Sequence, residues 1–563
     1  MTVTMGDPAD AALFEDYQHE LESLETFRER YRHLYPFAGL DRDDPDVQRL
    51  IEGLAFFSAR TRRVADRALA GYERRALEQV FPHLVTPLPS MALLTVDSAA
   101  RMTEPHTLPA GTELAVAPRI DAIGKPAAPI SFRTLRALVV RPFDLDRAAI
   151  KLVRLGDAGF ELVVPIYSEH PRVEPVVAIE LALDPHGDLL AALRLHHALA
   201  HHVESARYVF VDSAQPARPV RDLAFTAAPD DDAAFANPLE RFRSLVHFPL
   251  AALTVRVAID QTPAKWTRLE LRFRIGPGWP RELSVPPGAF LLHATPMINL
   301  QRALADPVAL DGTKARLEVA HPEPARALRP RELLAVYQST PAGFTPMLPE
   351  ALTGPDDDWY AIEVEGRHVG REVWLDVHAP RAFEARAAIV VEADWYRPGA
   401  GRLLRGALDA RLTARHLEGP RWRVVTPVED SRDSPLAGRR DKLSRLLALA
   451  GRSDLDAASL GFLLDVLGCA EHALFGRVTR AIASVTIVRQ PDARSGSGVR
   501  TTLELVLARL PLALVPAADL LLARLPDLLA AWSGDEPPIV VVRRDGDDRD
   551  TTTTYRSEAM RHA

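Results

Sequence analysis

The stretch from Phe14 to Met91 determines the N-terminal fold, and it reads FEDYQHELESLETFRERYRHLYPFAGLDRDDPDVQRLIEGLAFFSARTRRVADRALAGYERRALEQVFPHLVTPLPSM. Apolar residues recur in it at helical spacing, in two series separated by an acidic turn, which predicts two long amphipathic helices. Each series forms an apolar stripe along one face of its helix. We predict that nine residues of these two stripes form a partner interface: Phe14, Tyr17, Leu21, Leu24, Tyr31, Val47, Leu50, Leu54 and Phe57.

The second helix has a clear start signal and a clear stop. Asp44 precedes Pro45, which places an N-cap acid before a proline at the first helical position, and Pro82 ends the pattern. At 1.5 Å per residue the two helices span roughly 30 Å and 50 Å. Helices of that length need the rest of the chain, or other chains, to bury their stripes.

The same stretch carries three ordered motifs. They are F-x-x-Y-x-x-E-L-x-x-L from Phe14, D-P-x-V-x-R-L-x-E-x-x-A-F from Asp44, and P-x-L-x-x-P-x-P-S-M from Pro82. In this order and spacing they resemble the start of TssF, a family of type VI secretion baseplate subunits also called ImpG or VasA.

Later segments continue the resemblance. Residues 108–114 are similar to the family's P-x-G-T turn, residues 132–134 with Pro142 to its F-R-T strand, and residues 291–300 to its H-x-T-P-x-x-N-L segment. Residues 441–447 look like a degenerate form of a late helical segment. The last hundred residues depart most, since residues 525–534 lack the family's usual ending.

The resemblance implies a structural subunit, not an enzyme, with no cofactor. It implies assembly of two copies with one TssG subunit through a shared helical bundle, further contacts with TssK, TssE and the VgrG spike, and a role in linking the spike to the sheath. The wedge protein of a related phage-like contractile injection particle is the alternative from the same class of machine. The expected location is the cytoplasm, with the baseplate docked at the inner face of the cell envelope.

Composition excludes several other classes. A chain of 563 residues is too long to fold around one hydrophobic core, so several domains are expected. The net charge of -8 disfavours nucleic acid as a partner. A single cysteine, Cys469, excludes a disulfide framework and a CxxC metal site. The first ten residues lack the basic and apolar regions of a secretory signal, and charges and prolines interrupt the apolar stretch 503–532, so we expect no membrane insertion.

The sequence after the two predicted helices indicates many short secondary-structure elements, because proline is abundant and short runs of β-branched residues, or of alternating apolar and polar residues, recur. The predicted fold class is α+β, with a long helical N-terminal arm followed by multiple β-rich domains with short helices. We predict a helical arm at 1–90, an α+β domain at 91–228, a β-rich domain at 229–418, an α+β domain at 419–545 and a disordered tail at 546–563. Predicted strands include 137–140, 161–166, 253–257, 269–275, 373–377 and 388–391, and predicted helices lie near 188–203 and 441–450.

One histidine-rich segment, Leu195-His-His-Ala-Leu-Ala-His-His202, is the best candidate for chemistry. His197 and His201 are four residues apart, a spacing that zinc ligands use on a helix. The hydrolase motif needs glutamate directly after the first histidine, where this chain has Ala198, and the sequence identifies no third ligand. We therefore expect no metal site, and a zinc hydrolase is the competing hypothesis from another class.

Other catalytic patterns fail on spacing. Gly496-Ser-Gly498 lacks the glycine positions of a nucleophile elbow, and the aspartate triplets at 230–232 and 356–358 lack the alternation of a calcium loop. His293 and Asn299 lie in the family-like segment, and we expect them to form structural hydrogen bonds.

Overall fold

The structure is a computed structural model. It describes residues 8–31, 33–34, 45–97, 99–118, 128–156, 159–213, 215–225, 237–311, 316–341, 343–354, 357–365, 372–379, 387–413, 420–436, 440–492, 497–544 and 551–557. The chain forms two compact units, Met1–Pro82 and His83–Ala563. Among the described residues, no helix combines the length and the apolar character needed to cross a membrane.

The first unit contains the two predicted helices, α1 (Pro8–Tyr31) and α2 (Pro45–Val80). The helix α2 begins at the predicted proline, whereas the predicted cap, Asp44, lies outside the described residues. The two helices contact each other through Glu20, whose carboxylate accepts hydrogen bonds from the Ser58 hydroxyl at 2.9 Å and the Arg62 guanidinium at 3.0 Å.

The second unit contains short helices between strands. They are α3 (Pro82–Val85, which begins at the unit boundary), α4 (Leu189–His202), α5 (Pro238–His247), α6 (Ala400–Leu403), α7 (Arg440–Leu449), α8 (Ala457–Val466), α9 (Phe475–Arg480), α10 (Val515–Leu522) and α11 (Leu525–Ser533). The predicted helices near 188–203 and 441–450 correspond to α4 and α7. The helix α4 starts where the Asp188 side chain accepts a hydrogen bond from the Ala191 amide, as an N-cap residue does.

A six-stranded sheet joins distant parts of the chain. In spatial order its strands are β25 (Leu408–Leu412), β3 (Glu113–Pro118), β4 (Ile130–Thr134), β16 (Ala294–Ile298), β1 (Met91–Asp97) and β26 (Arg421–Glu429). These strands come from all three of the domains predicted after the arm, so the predicted boundaries at 228 and 418 do not separate structural units. Pairing between strands hundreds of residues apart leaves no local trace in the sequence, which is why composition breaks mislocated the boundaries.

The remaining strands form larger and smaller sheets. One contains β11 (Arg218–Pro219), β10 (Val203–Phe210), β14 (Trp266–Ile275), β8 (Phe160–Arg172) and β6 (Asp144–Leu145), with β7 (Lys151–Arg154) also on β8. Another contains β12 (Leu223–Ala224), β13 (Thr254–Ala258), β9 (Ala178–Leu183) and β15 (Phe290–Leu292). The strands β2 (His106–Leu108) and β5 (Leu138–Val140) form a separate pair.

The widest sheet runs through β17 (Gln301–Leu304), β24 (Ala387–Tyr396), β20 (Arg329–Thr340), β21 (Gly343–Pro349), β22 (Trp359–Glu365), β23 (Glu372–His378) and β19 (Leu317–Glu318), with β18 (Val308–Leu310) on β24. A partly buried ion pair joins it to the six-stranded sheet, because the Arg133 guanidinium on β4 donates to both oxygens of Asp394 on β24, at 3.2 and 2.9 Å. The predicted F-R-T strand therefore links two sheets.

The last sheet contains β27 (Ile482–Pro491), β28 (Val499–Leu507), β29 (Ile539–Arg544) and β30 (Thr551–Tyr555). The strand β30 lies in the segment 546–563 that the sequence predicts to be a disordered tail, and for these five residues the prediction is wrong. Backbone pairing with β29 and burial of the Tyr555 ring order a stretch whose polar composition suggested disorder.

The predicted fold class is confirmed, since helices and strands are mixed and sheets dominate after the arm. Each predicted strand overlaps an observed one. On β14 the alternation predicted a half-buried antiparallel strand, and Leu269, Leu271, Phe273 and Ile275 are indeed buried while the residues between them are not.

Candidate functional site

A row of small and polar residues forms the side of α2 that meets α1. Ala55 and Ala59 are fully buried, and Ser58 and Arg62, three residues further on in each case, hydrogen-bond to Glu20 of α1. Small side chains allow two helices to approach closely, so this row accounts for the contact within the hairpin.

A second, apolar row on α2 is exposed. Leu50, Leu54, Phe57 and Val64 are 73, 58, 72 and 59% exposed, and Thr61 occupies the intervening position. The steps between these five residues alternate between four and three, which is the spacing of a coiled-coil seam. Contiguous apolar surface of this kind marks protein–protein interfaces. We call this row the α2 seam.

The nine predicted interface residues divide into two groups. Tyr17, Leu21, Leu24, Tyr31 and Val47 are half-buried, whereas Phe14, Leu50, Leu54 and Phe57 are exposed. Their role in binding a partner stays a prediction, and the exposed group is the part available for it.

The proline-rich segment after the arm, residues 83–91, is held by side chains from the second unit. The Arg243 guanidinium donates to the carbonyls of His83 and Thr86, His247 Nε2 donates to the Pro89 carbonyl at 3.0 Å, and Ser434 Oγ donates to the Leu84 carbonyl at 2.6 Å. Because the proline residues lack N–H groups, side-chain donors take the place of a full strand ladder. We call this segment the exit segment.

A buried charge cluster supports the exit segment. Arg331 donates to Glu240 at 2.7 Å and to the Pro87 carbonyl at 3.4 Å, and His83 lies 3.3 Å from the same carboxylate. Burial acts to raise the pKa of Glu240, but the hydrogen bond from His83 and the charge of Arg331 outweigh it, so the pKa lies below its usual value. Burial lowers the pKa of Arg243 to about 10, which leaves it charged at neutral pH.

The histidine segment acquires a partner that the sequence does not reveal. On α4, His197 Nε2 lies 2.6 Å from Asp519 Oδ2 of α10, 322 residues away in sequence, and the His197 and His201 rings stack at 4.0 Å between centroids. One ligand atom from each of these three residues lies within 4.8 Å of the others. The third ligand that sequence reasoning missed is therefore Asp519, and no spacing in the sequence could have identified it.

The same aspartate connects α10 to the last sheet. Its Oδ1 accepts hydrogen bonds from the Arg544 guanidinium of β29 and the Tyr555 hydroxyl of β30. Burial acts to raise the pKa of Asp519, but the hydrogen bond from His197 and the charge of Arg544 lower it below its usual value. Asp519 is therefore ionised at neutral pH.

A polar cavity of about 540 Å³ lies in the second unit. Four of its charged side chains form two ion pairs, since Arg147 contacts Asp97 at 2.6 Å and Arg101 contacts Glu169 at 3.4 Å. Asp144 accepts a hydrogen bond from the Ala100 amide, and burial raises the pKa of its carboxyl to about 6.

His293 and Asn299 have the structural role that the sequence predicts. His293 has a positive φ of 52° between β15 and β16, and its Nε2 donates to the Phe143 carbonyl at 3.0 Å. Asn299 donates to the Ser131 carbonyl and accepts from the Arg397 amide, which ties β4 to the chain after β24.

Comparison with known proteins supports the resemblance over the N-terminal part of the chain. Residues 9–209 match the family model described as type VI secretion system, TssF. The resemblance to the TssF family is confirmed. Over 83 residues the chain is 31% identical to the type VI secretion system component TssF1 of Pseudomonas aeruginosa, an alignment that spans 14% of this chain and 13% of that protein.

Two solved structures share the fold over almost the whole chain. A chain of the type VI secretion system TssK-TssF-TssG baseplate subcomplex matches with a TM-score of 0.71 and 17% identity, covering 91% of this chain and 98% of that chain. A chain of the baseplate complex from the type VI secretion system matches with a TM-score of 0.60 and 18% identity, covering 97% and 99%. The fold shared with these two chains therefore extends into the C-terminal region, beyond the residues that the family model matches.

Proposed function

We propose that this chain is a structural subunit of a type VI secretion baseplate and that it assembles with TssG-like and TssK-like subunits. The observation that carries the proposal is the TssF match over residues 9–209 together with a fold shared with a chain of a TssK-TssF-TssG subcomplex. The exposed α2 seam fits this role, because a subunit that works in an assembly keeps apolar surface for its partners.

The finer details belong to the same proposal. Two copies of the chain bind one TssG-like subunit through their N-terminal helices, and contacts with TssE and the VgrG spike couple the spike to the sheath at a baseplate in the cytoplasm. A wedge protein of a phage-like injection particle is the alternative within this class, and the genes beside this one distinguish the two. The role is mechanical and involves no catalysis.

The test is an assembly experiment on the α2 seam. The Leu54→Asp substitution puts a carboxylate at an exposed position, so the hairpin should still fold. If the seam is buried on assembly, the unpaired charge costs several kcal/mol, and binding of the co-expressed TssG-like subunit weakens at least 100-fold. Binding is measured by co-purification and by titration of the purified partner.

The matched control is Gln48→Asp, which adds the same charge to an exposed position of α2 outside the seam. It should bind like the wild type. Equal binding by Leu54→Asp and Gln48→Asp would show that the seam is not part of the interface. A wild-type chain that does not bind the TssG-like subunit would overturn the assignment to a baseplate.

A further inference from the structure

We propose that His197, His201 and Asp519 bind one divalent transition-metal ion, with Zn²⁺ the favoured ion. The sequence-based expectation of no metal rested on the missing third ligand, and the fold supplies it in Asp519. Two imidazoles and one carboxylate form a ligand set that Zn²⁺ accepts, with a fourth position left for water.

The distances require only small side-chain movements. Metal–ligand bonds of 2.0–2.2 Å in a tetrahedral site place ligand atoms about 3.4 Å apart. His197 Nε2 and Asp519 Oδ2 are now 2.6 Å apart because they share a hydrogen, and they would separate by about 0.8 Å as the metal replaces it. The widest separation within the cluster, 4.8 Å at most, would close by about 1.4 Å.

The hydrogen bonds around the cluster prepare its atoms for this role. His201 Nδ1 lies 2.9 Å from the His197 carbonyl, which can only accept, so Nδ1 carries the hydrogen and Nε2 keeps the lone pair that a metal needs. A ring fixed in this way by its other nitrogen is the usual arrangement of a ligating histidine.

Asp519 is oriented from its opposite oxygen. Arg544 and Tyr555 donate to Oδ1 and so leave Oδ2 on the side of His197. Hydrogen bonds to the oxygen that does not bind the metal orient ligating carboxylates in this way. The positive charge of Arg544 balances the carboxylate while no metal is bound.

Such an ion would have a structural role, because it would link elements that are distant in the sequence. The ion would join α4 to α10 and, through Arg544 and Tyr555, to β29 and β30, which come from the far end of the chain. Binding only to the folded state would stabilise this junction. Because Ala198 stands where a hydrolase motif has glutamate, the site has a structural role, and the proposal does not depend on the baseplate function.

In the experiment, Zn²⁺ is titrated into the full-length chain after metal has been removed with a chelator. The heat of binding is measured by calorimetry, and the amount of zinc bound per chain is measured by metal analysis. The wild type should bind one equivalent and show a higher thermal midpoint. The His201→Ala variant, which changes an exposed side chain and should fold, is expected to bind at least tenfold more weakly.

His202→Ala is the matched control, because this neighbouring histidine is not part of the cluster, and it should bind like the wild type. Asp519→Asn, which keeps the shape of the side chain, should also lose at least tenfold. Absence of saturable binding by the wild type, or equal affinity of His201→Ala and His202→Ala, overturns the proposal and leaves His197 and Asp519 as a hydrogen-bonded pair only.

Discussion

The Arg331→Met substitution tests whether the buried charge cluster holds the exit segment. Arg331 and Glu240 are both largely buried, with side chains 9 and 13% exposed, and the guanidinium also donates to the Pro87 carbonyl. Removing one partner of a buried ion pair costs about 3–5 kcal/mol. Since His83 still contacts Glu240, we expect the lower end, about 3 kcal/mol.

Hydrogen exchange of the exit segment measures this loss directly. The Leu88 amide donates to the Arg432 carbonyl at 2.8 Å, so it exchanges only when the segment opens. A loss of about 3 kcal/mol corresponds to exchange roughly 100-fold faster in peptides covering residues 83–91. The double variant Arg331→Met with Glu240→Gln should recover part of the protection, because it removes both charges of this ion pair, although Arg243 also loses the nearby charge of Glu240.

Arg326→Met is the matched control. Arg326 pairs with Glu323 at 2.9 Å, but both side chains are about half exposed, and exposed pairs contribute about 0–1 kcal/mol. Exchange in residues 83–91 should therefore stay near the wild-type rate. A change of less than threefold in Arg331→Met would refute the reasoning that this pair holds the exit segment.

Two further predictions concern single side chains of the second unit. The pKa of Asp144 is raised to about 6 in the folded protein, so the folded state binds the proton more tightly than the unfolded chain, and the free energy of unfolding falls as pH rises from about 4 to about 6. Asp144→Asn should reduce this fall, as measured by denaturant unfolding at a series of pH values. An unchanged pH dependence of the free energy of unfolding would contradict the prediction. Tyr555→Phe removes a donor to a buried carboxylate and should cost about 1.5–3 kcal/mol, seen as a lower thermal midpoint than that of the wild type, whereas an unchanged midpoint would mean that the hydroxyl does not stabilise this junction.

Local patterns in the sequence were sufficient for the elements whose neighbours are close in the chain. The helices α1 and α2 follow from apolar spacing, and β14 follows from strict alternation, because in each case one face of a single element is buried. The half-exposed state of the predicted interface was not predictable in the same way, since one stripe of α2 meets α1 while the other does not.

Long-range pairing was beyond such patterns. The order of β1, β16 and β26 in one sheet, and the meeting of His197 with Asp519, depend on chain segments that are hundreds of residues apart. The polar segment 551–555 looked disordered because its order comes from β29 and from burial of Tyr555 rather than from its own composition.

The exit segment shows how a proline-rich stretch is attached to a sheet-rich unit. The arm continues covalently into this segment at the unit boundary. A proline-rich segment has few amides with which to join a sheet, and here carbonyls are held instead by the charged guanidinium groups of Arg243 and Arg331 and by His247, whose ring is neutral because burial lowers its pKa to about 3. Hydrogen bonds from charged donors are about twice as strong as neutral ones, and burial protects them from screening by salt. A few buried charged side chains thus supply the attachment that a longer strand ladder would otherwise provide.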